Sequence, residues 1–181
     1  MKAYWFSDGD RLRYGDRRIP AVGVTHRHKG PLRLCNAGLH ASIDVLDALE
    51  HAPGDTLWVV ECGGEIIEGD DKLVCSEWTY VSRHDVDLRA FARWCALQVV
   101  HLWNCPEVMR QYLETGDEAL RAAAKDAAWT EAGAAARSAA WAAAWAAAWD
   151  AAMAADAARS ASRAAQRQKL LEMAGIKEEA Q

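Results

Sequence analysis

Three histidines and one cysteine lie close together in the first quarter of the chain, and these residue types bind transition metals or transfer protons. They are His26, His28, Cys35 and His40. Imidazole nitrogen and thiolate sulfur are ligands of zinc. The spacing, His-x-His, six residues, then Cys-x4-His, matches no common zinc motif. We therefore predict no metal and keep these residues as a secondary zinc hypothesis.

Cys35 and His40 could also act as a nucleophile and a general base. Such a pair needs a third group to orient the histidine and donors for an oxyanion, and the sequence shows neither. The structural interpretation is a buried cysteine and a histidine that bonds the backbone at a strand-to-helix turn. The catalytic residues therefore remain unknown, and the weak candidates are Ser42, Glu77, His40 and Cys35.

Motifs that bind nucleotides or form serine nucleophiles are missing from the sequence. There is no P-loop, no Gly-x-Gly-x-x-Gly and no Gly-x-Ser-x-Gly. Asp70 and Asp71 are adjacent, so they point in different directions and form no obvious acid/base pair. We predict no cofactor.

Composition narrows the class of protein. The 181 residues carry a net charge of −5, which gives no support to nucleic-acid binding. The five cysteines form no Cys-x-x-Cys pair, which is typical of reduced thiols in a cytoplasm. The first residues lack the apolar region of a signal peptide. We expect a cytoplasmic protein.

Strand and turn patterns dominate residues 1–84 and predict an α/β head domain. The expected strands are 2–7, 19–25, 56–62 and 72–82, with a hairpin turn at Gly63-Gly64. Ser42 is expected to cap a short helix over 43–50. The sequence therefore predicts an α+β fold, a small mixed and mainly antiparallel sheet with one short helix, followed by an all-helical part over 85–181.

Helical periodicity begins near Asp87, and we expect helices at about 87–103, 106–114 and 117–174. The first is apolar nearly all round, which predicts burial between the sheet and the long helix. The long helix is rich in alanine, the strongest helix former. Asp117 can cap it, Gly133 is its weakest interior point, and Gly175 with Ile176 can end it by folding back on Leu171.

Two rows of residues at a spacing of four mark the surface of this long helix. The first row is apolar and consists of Trp141, Trp145, Trp149 and Met153. It forms a slanted ridge beside smooth alanine faces, and it either covers the protein's own core or binds a copy or a partner. The second row, Arg159, Arg163 and Arg167, either binds phosphate or is a solvated face.

A membrane span is not expected in this region. The apolar run ends at Asp150, which makes it shorter than the ~20 residues that a spanning helix needs. Its tryptophans also lie inside the run and not at its edges.

The segment from Tyr4 to Val81 resembles a family of small uncharacterised domains common in bacteria and their phages. The family carries a Cys-x-x-Gly-Phe/Leu-His-Ala motif, an Asp-Val-Leu helix, a strand with Val-Glu, and Gly-Asp-Asp-Lys. The matching residues here are Cys35, Gly38 to Ala41, Asp44 to Leu46, Val60-Glu61 and Gly69 to Lys72. The resemblance implies a phage or prophage origin and no established activity.

A second, fainter resemblance is to the core of ADP-ribosyltransferases, which hold NAD through three separated motifs. Ser42 and Glu77 would match the second and third motifs. The first motif, an Arg or His on an early strand, has no clean counterpart, and Arg13 or His26 would have to serve. This resemblance implies an NAD-using transferase as the alternative function.

We therefore expect a non-enzymatic interaction protein of phage type, and inhibition of a host defence or metabolic protein is one role that fits it. Its Ala/Trp helix, with Arg159 and Arg163, would mediate self-association or bind a host protein. A plain structural scaffold is the third interpretation.

Overall fold

The computed structural model describes residues 1–10, 12, 16–102, 104–127 and 150–177, with only the backbone for 150–161. The chain divides into two compact units. The head contains Met1–Asp87 and Gln166–Gln181, and the helical unit contains Leu88–Ala165. The sequence assigned residues 166–177 to the helical region, whereas the structure places them with the head.

The head is built on a five-stranded sheet whose pairings are all antiparallel, which confirms the predicted α+β class. β1 pairs with β4 and β4 pairs with β5, and the other edge of β5 pairs with both β3 and β2. The strands are β1 (Lys2–Ser7), β2 (Thr25–Arg27), β3 (Leu39–Ala41), β4 (Thr56–Glu68) and β5 (Leu73–Asp85). β2 is shorter and later than the strand predicted over 19–25, and β3 was not predicted because three residues show no measurable alternation.

The predicted hairpin turn at Gly63-Gly64 is wrong. β4 continues through both glycines, with a register shift against β5 between Gly63 and Ile66. Gly64 has a φ of 69°, a backbone conformation that glycine adopts readily within a bulge. The true turn follows Glu68, where the Gly69 N–H donates to the Lys72 carbonyl at 2.8 Å. A Gly-Gly pair fits both a bulge and a turn, so the sequence did not separate them.

Ser42 does not cap the short helix as predicted. The helix, α1, runs over Val45–Glu50, and its cap is Asp44, whose Oδ1 accepts from the Leu46 N–H at 2.8 Å. Ser42 lies outside α1 because its backbone pairs with β1. The Tyr4 N–H donates to the Ser42 carbonyl at 2.7 Å, and the Ser42 N–H donates to the Tyr4 carbonyl at 2.9 Å. This bridge connects β1 to the segment after β3 and closes the sheet into a ring.

One face of the sheet carries the main apolar cluster. Its buried members are Ala3, Leu39, Ala41, Trp58, Val60, Cys62, Leu73, Cys75, Trp78 and Tyr80. Tyr80 lies at the centre, with the rings of Trp58, Trp78 and Trp5 at 5.0, 5.7 and 6.2 Å from its own. Aromatic pairs in such edge-to-face geometry add stability beyond the area that they bury.

The opposite face buries Tyr4, Phe6 and Leu57, and α1 packs against β1 there through buried side chains such as Val45. The end of the last helix, α4 (Asp150–Met173), also belongs to the head. Leu170 and Leu171 of α4 are 0% and 2% exposed.

Polar contacts fix the end of α4 on the head. Arg167 forms an ion pair with Asp44 at 4.0 Å, and the Ala174 backbone lies close enough to the His84 ring to oppose the lowering of its pKa by burial. α4 ends as predicted: Gly175 has a φ of 68°, and the Ile176 N–H donates to the Leu171 carbonyl at 2.9 Å.

The helical unit begins with α2 (Leu88–Gln98) and a 3-10 turn (Val100–Leu102), followed by α3 (Glu107–Thr115). A 3-10 turn (Glu118–Leu120) and helical residues 121–127 follow, with Asp117 as the predicted cap. The prediction that α2 is buried nearly all round is wrong, since Phe91 is its only buried residue. α2 packs mainly against α3, which covers one side of it.

Part of the predicted long helix lies outside the described residues. Backbone is described for 118–127 and for α4, whereas Trp141, Trp145, Trp149 and Gly133 are not described. The side chains of Met153 and Arg159 are also outside the description. Within the described ranges, no helix combines the length and the apolar character that crossing a bilayer requires.

Leu171→Ala should lower the free energy of unfolding of the head by about 2–5 kcal/mol, because it leaves a cavity beneath the end of α4. Urea unfolding measures the effect. The control is Gln168→Ala at an exposed position of α4, which should change stability by less than about 0.5 kcal/mol. Equal effects of the two variants would show that the end of α4 contributes nothing to the head.

Candidate functional site

The candidate site lies where β1 and β3 separate. Backbone groups of alternate residues along a strand point to opposite neighbours. Met1 exchanges hydrogen bonds with Cys62 of β4, each at 2.8 Å, so the odd-numbered residues of β1 face β4. The even-numbered residues, Tyr4 and Phe6, therefore face β3.

The pairing on this side ends after one step. Tyr4 and Ser42 form an isolated bridge. In a continued ladder Phe6 would pair next with His40, but the two strands do not pair there. A cavity of about 280 Å³ occupies this seam, and we call it the seam cavity.

Aromatic, polar and charged residues all line the seam cavity. The aromatic residues are Tyr4, Trp5, Phe6 and Trp78. The other lining residues are Leu12, Asp16, Cys35, Asn36, Gly38, Leu39, His40, Ala41, Ser42, Ala48, His51 and Lys72. Small-molecule sites are usually concave and combine apolar walls with a few polar groups.

His40 holds the loop at one side of the cavity. Its Nε2 accepts from the Cys35 N–H at 2.9 Å, so its Nδ1 carries the proton and donates to the Gly38 carbonyl at 3.2 Å. This is the backbone-bonding role of the structural interpretation. With both ring nitrogens engaged, His40 does not serve as a general base for Cys35. Cys35 itself is exposed and not buried as that interpretation expected, and its φ is 62°.

The structure shows why the Cys-x-x-Gly-Leu-His-Ala motif has a glycine at position 38. Its φ is 119°, in a region that other residues rarely adopt. A Cβ at this position would also collide with Val74 Cγ2 and Leu32 Cδ2. The motif is therefore a tight loop that places His40 and Cys35 at the seam cavity.

A charged cluster that the sequence did not reveal lies at the cavity mouth. Asp71 accepts from His51 Nε2 at 2.9 Å and from Lys72 Nζ at 3.1 Å. The Asp71 carboxylate raises the pKa of Lys72, and the hydrogen bond from His51 lowers the pKa of Asp71. Cys35, which also lines the cavity, adds to this rise in the pKa of Lys72. Residues of the two motifs, separated in sequence, meet here.

Trp78, one of the residues that line the cavity, carries a buried indole N–H. It is 3% exposed, and its indole N–H has no hydrogen-bond partner among the residues that the structure describes. This N–H acts to lower the pKa of the nearby Tyr80 hydroxyl, but the two groups do not reach hydrogen-bond geometry. Tyr80 bonds His26 Nδ1 instead, at 3.0 Å. Burial raises the pKa of Tyr80 to about 12.

The structure does not bring together the residues of the zinc hypothesis. His26 lies on β2 with its ring against Tyr80, whereas His40 bonds its own loop. Across the described ranges, no three His, Cys, Asp or Glu side chains are grouped so that they could hold a metal ion. His28 lies just beyond β2 and donates its backbone N–H to Ser76.

The residues of the transferase resemblance are also separate. Ser42 is 2% exposed and bonded to β1. Its neighbour Ala41 pairs with Leu73, and Glu77 lies four residues further along β5, about 13 Å away at the usual strand rise. Glu77 forms an ion pair with Arg27 at 2.9 Å, and Arg13 lies outside the described residues. His26 precedes Arg27 on β2, so it projects from the other face. The geometry therefore gives no support to an NAD-using transferase.

Acidification should destabilise the head through His40. Burial lowers the pKa of His40, and the positive charges of Lys72 and His28 act in the same direction, whereas bonds to backbone carbonyls oppose it. The unfolded chain therefore binds the proton more readily, and stability falls as pH decreases through about 6.5. Protonated Nε2 also cannot accept from the Cys35 N–H.

Urea midpoints at high and low pH across this range measure the effect. His40→Gln should show a smaller loss on acidification than the unchanged protein. His101→Gln, at an exposed position of the helical unit, is the matched control and should leave the loss unchanged. An unchanged loss in His40→Gln would contradict the assignment.

Comparison with known proteins supports part of the family resemblance. No curated protein and no solved structure is significantly similar to this chain. Residues 17–92, which include β2 to β5 and most of the seam cavity, match the family model described as Domain of unknown function (DUF7666).

Proposed function

We propose that this protein is a non-enzymatic interaction protein whose helical unit binds a second copy of the chain. The observation that carries the proposal is a pair of exposed apolar side chains just after α2, with Val99 between the helix and the 3-10 turn and Leu102 at the end of that turn. Val99 is 47% exposed and Leu102 is 71% exposed.

The helical unit has few buried residues of its own. Within its described part, the buried apolar residues are Phe91, Leu113 and Ala124. Trp94 stacks on Phe91 with the ring centroids 6.4 Å apart, and is itself only partly buried. Exposed apolar patches mark interaction sites in soluble proteins.

A second copy is the occupant that the sequence supports best. The Ala/Trp segment carries bulky tryptophans and smooth alanine faces at a spacing of four. One such segment therefore offers both the ridges and the grooves that helix packing requires. Two copies related by a two-fold axis would use the same surface on each side.

The biological setting is a further part of this proposal. The resemblance to phage-associated domains supports a role in a bacterial cytoplasm, where the assembled protein would inhibit a host defence or metabolic protein. The five unpaired cysteines fit such a reducing compartment. The row with Arg159 and Arg163 would then lie beside the interface.

Light scattering on the intact protein tests self-association. We expect the mass of a dimer or a larger closed oligomer. Replacing Val99 and Leu102 together by serine should weaken association more than tenfold, since burying each side chain contributes about 1.5–3 kcal/mol.

The matched control is Val22→Ser, which removes an apolar side chain of the head that is 61% exposed. It should leave the mass unchanged. A monomeric mass for the intact protein at every concentration would contradict the proposal. The exposed apolar side chains of the helical unit would then be covered by the rest of the chain or by a host protein. Trp145→Ala extends the test to the Ala/Trp segment and should also favour the monomer.

A further inference from the structure

We propose that the outer edge of β4 at residues 65–68 binds an extended segment of a partner protein in which two basic residues flank two apolar ones. The bound segment would add a strand to the sheet of the head, which is a common mode of peptide recognition. This inference is independent of self-association through the helical unit, because every residue that it uses belongs to the head.

The outer edge of β4 loses its partner before the strand ends. On this side β4 pairs with β1, and the pairing ends at Cys62, which exchanges two hydrogen bonds with Met1 at 2.8 Å each. β4 itself continues to Glu68. In the described part of the chain, no strand pairs with this continuation on the side away from β5.

The hydrogen bonds at the hairpin turn show which backbone groups this edge presents. The Gly69 N–H donates to the Lys72 carbonyl at 2.8 Å, so these two residues form a hydrogen-bonded pair. Bonded and non-bonded pairs alternate along an antiparallel ladder, which makes Ile67 the next residue bonded to β5. Ile66 and Glu68 therefore direct their backbone N–H and C=O groups outward. An added strand can pair with these groups as β1 pairs with the first half of β4.

The side chains of residues 65–68 determine which strand fits. They read Glu-Ile-Ile-Glu and alternate between the two faces of the sheet, so each face carries one glutamate and one isoleucine. Side chains directly opposite each other on neighbouring strands interact. A basic residue opposite each glutamate and an apolar residue opposite each isoleucine give the order basic, apolar, apolar, basic. Because Glu-Ile-Ile-Glu reads the same in both directions, this order fits a parallel and an antiparallel strand alike.

The carboxylates of this edge are available for such a partner. Glu65 and Glu68 are exposed, and neither forms an ion pair with a residue that the structure describes. Asp70, in the turn that follows, is also exposed and adds a third negative charge. A surface with charges of one sign attracts partners of the opposite sign.

A second copy of the chain fits this edge poorly. Its own β4 would bring two more glutamates to the edge that carries Glu65 and Glu68, and like charges oppose strand pairing. The register shift between Gly63 and Ile66 also limits any added strand to a short length. The edge is therefore protected against copies of itself and remains open to a basic chain.

Fluorescence anisotropy with the full chain at low salt tests the proposal, with three labelled peptides as probes. Thr-Lys-Val-Val-Lys-Thr carries the basic pattern, and Thr-Glu-Val-Val-Glu-Thr carries the opposite charges. The third probe is the basic peptide with a methyl group on the backbone nitrogen of its second valine. We expect the basic peptide to bind at least tenfold more tightly than the acidic one. This preference should shrink at about 1 M salt, where exposed charges are screened.

The methylated peptide separates strand addition from simple attraction between charges. Its charges and side chains are those of the basic peptide, but its second valine has no N–H. In either strand direction that N–H is the donor to the Ile66 carbonyl. The methylated peptide should therefore bind about tenfold more weakly than the basic one, as expected for loss of one hydrogen bond.

Replacing Glu65 and Glu68 together by lysine should reverse the preference, so that the acidic peptide binds at least tenfold more tightly than the basic one. The matched control is Glu107→Lys with Glu114→Lys, which makes the same change of net charge at exposed positions of α3. It should keep the preference of the unchanged protein. If the edge variant does not fold, the three peptides on the unchanged protein still decide.

Four results would each overturn the proposal. They are no binding of any peptide, equal binding of the basic and acidic peptides to the unchanged protein, no effect of the methyl group, and an equal change of preference in the edge variant and its control.

Discussion

Two backbone hydrogen bonds between Tyr4 and Ser42 are the interaction on which the rest of the head depends. They join β1 to the segment after β3 and close the sheet into a ring. Closure leaves β1 without a long free edge, which is the part of a sheet most prone to pair with other chains. The bridge also determines where the neighbouring elements begin and end. α1 must begin after Ser42, and β1 and β3 must separate beyond the bridge, where the seam cavity lies.

The sequence predicted the class of the fold and most of the long elements, and the reasons are local. β1, β4 and β5 have the composition of strands, and the end of α4 was predicted because Gly175 and Ile176 form a pattern of short range. The failures involve contacts between distant residues. Gly63-Gly64 was expected to be a turn because the register of β4 against β5 is not visible from either strand alone. Ser42 was expected to cap α1 because its actual backbone partner, Tyr4, is 38 positions earlier, and the local sequence does not show that pairing.

The candidate site was predicted only in part, for the same reason. Cys35 and His40 were identified by residue type, and the backbone-bonding role of His40 followed from its place near a turn. Lys72, Asp71 and His51 were missed as a group, since no spacing in the sequence indicates that the turn after β4 meets the end of α1. Trp78 was seen as one apolar position among many. Only the structure shows that its N–H is buried without a partner in the described part of the chain.

The position of the end of α4 in the head has a consequence for how the protein is made. Residues 1–87 leave the ribosome long before residues 166–177, which supply the buried side chains of Leu170 and Leu171 to the head. Domains usually fold as units during synthesis, the earlier ones first. Here the head cannot complete its core until the helical unit has been synthesised. Throughout that interval the surface against which Leu170 and Leu171 later pack is open, and a chaperone that binds it would protect the nascent chain from aggregation.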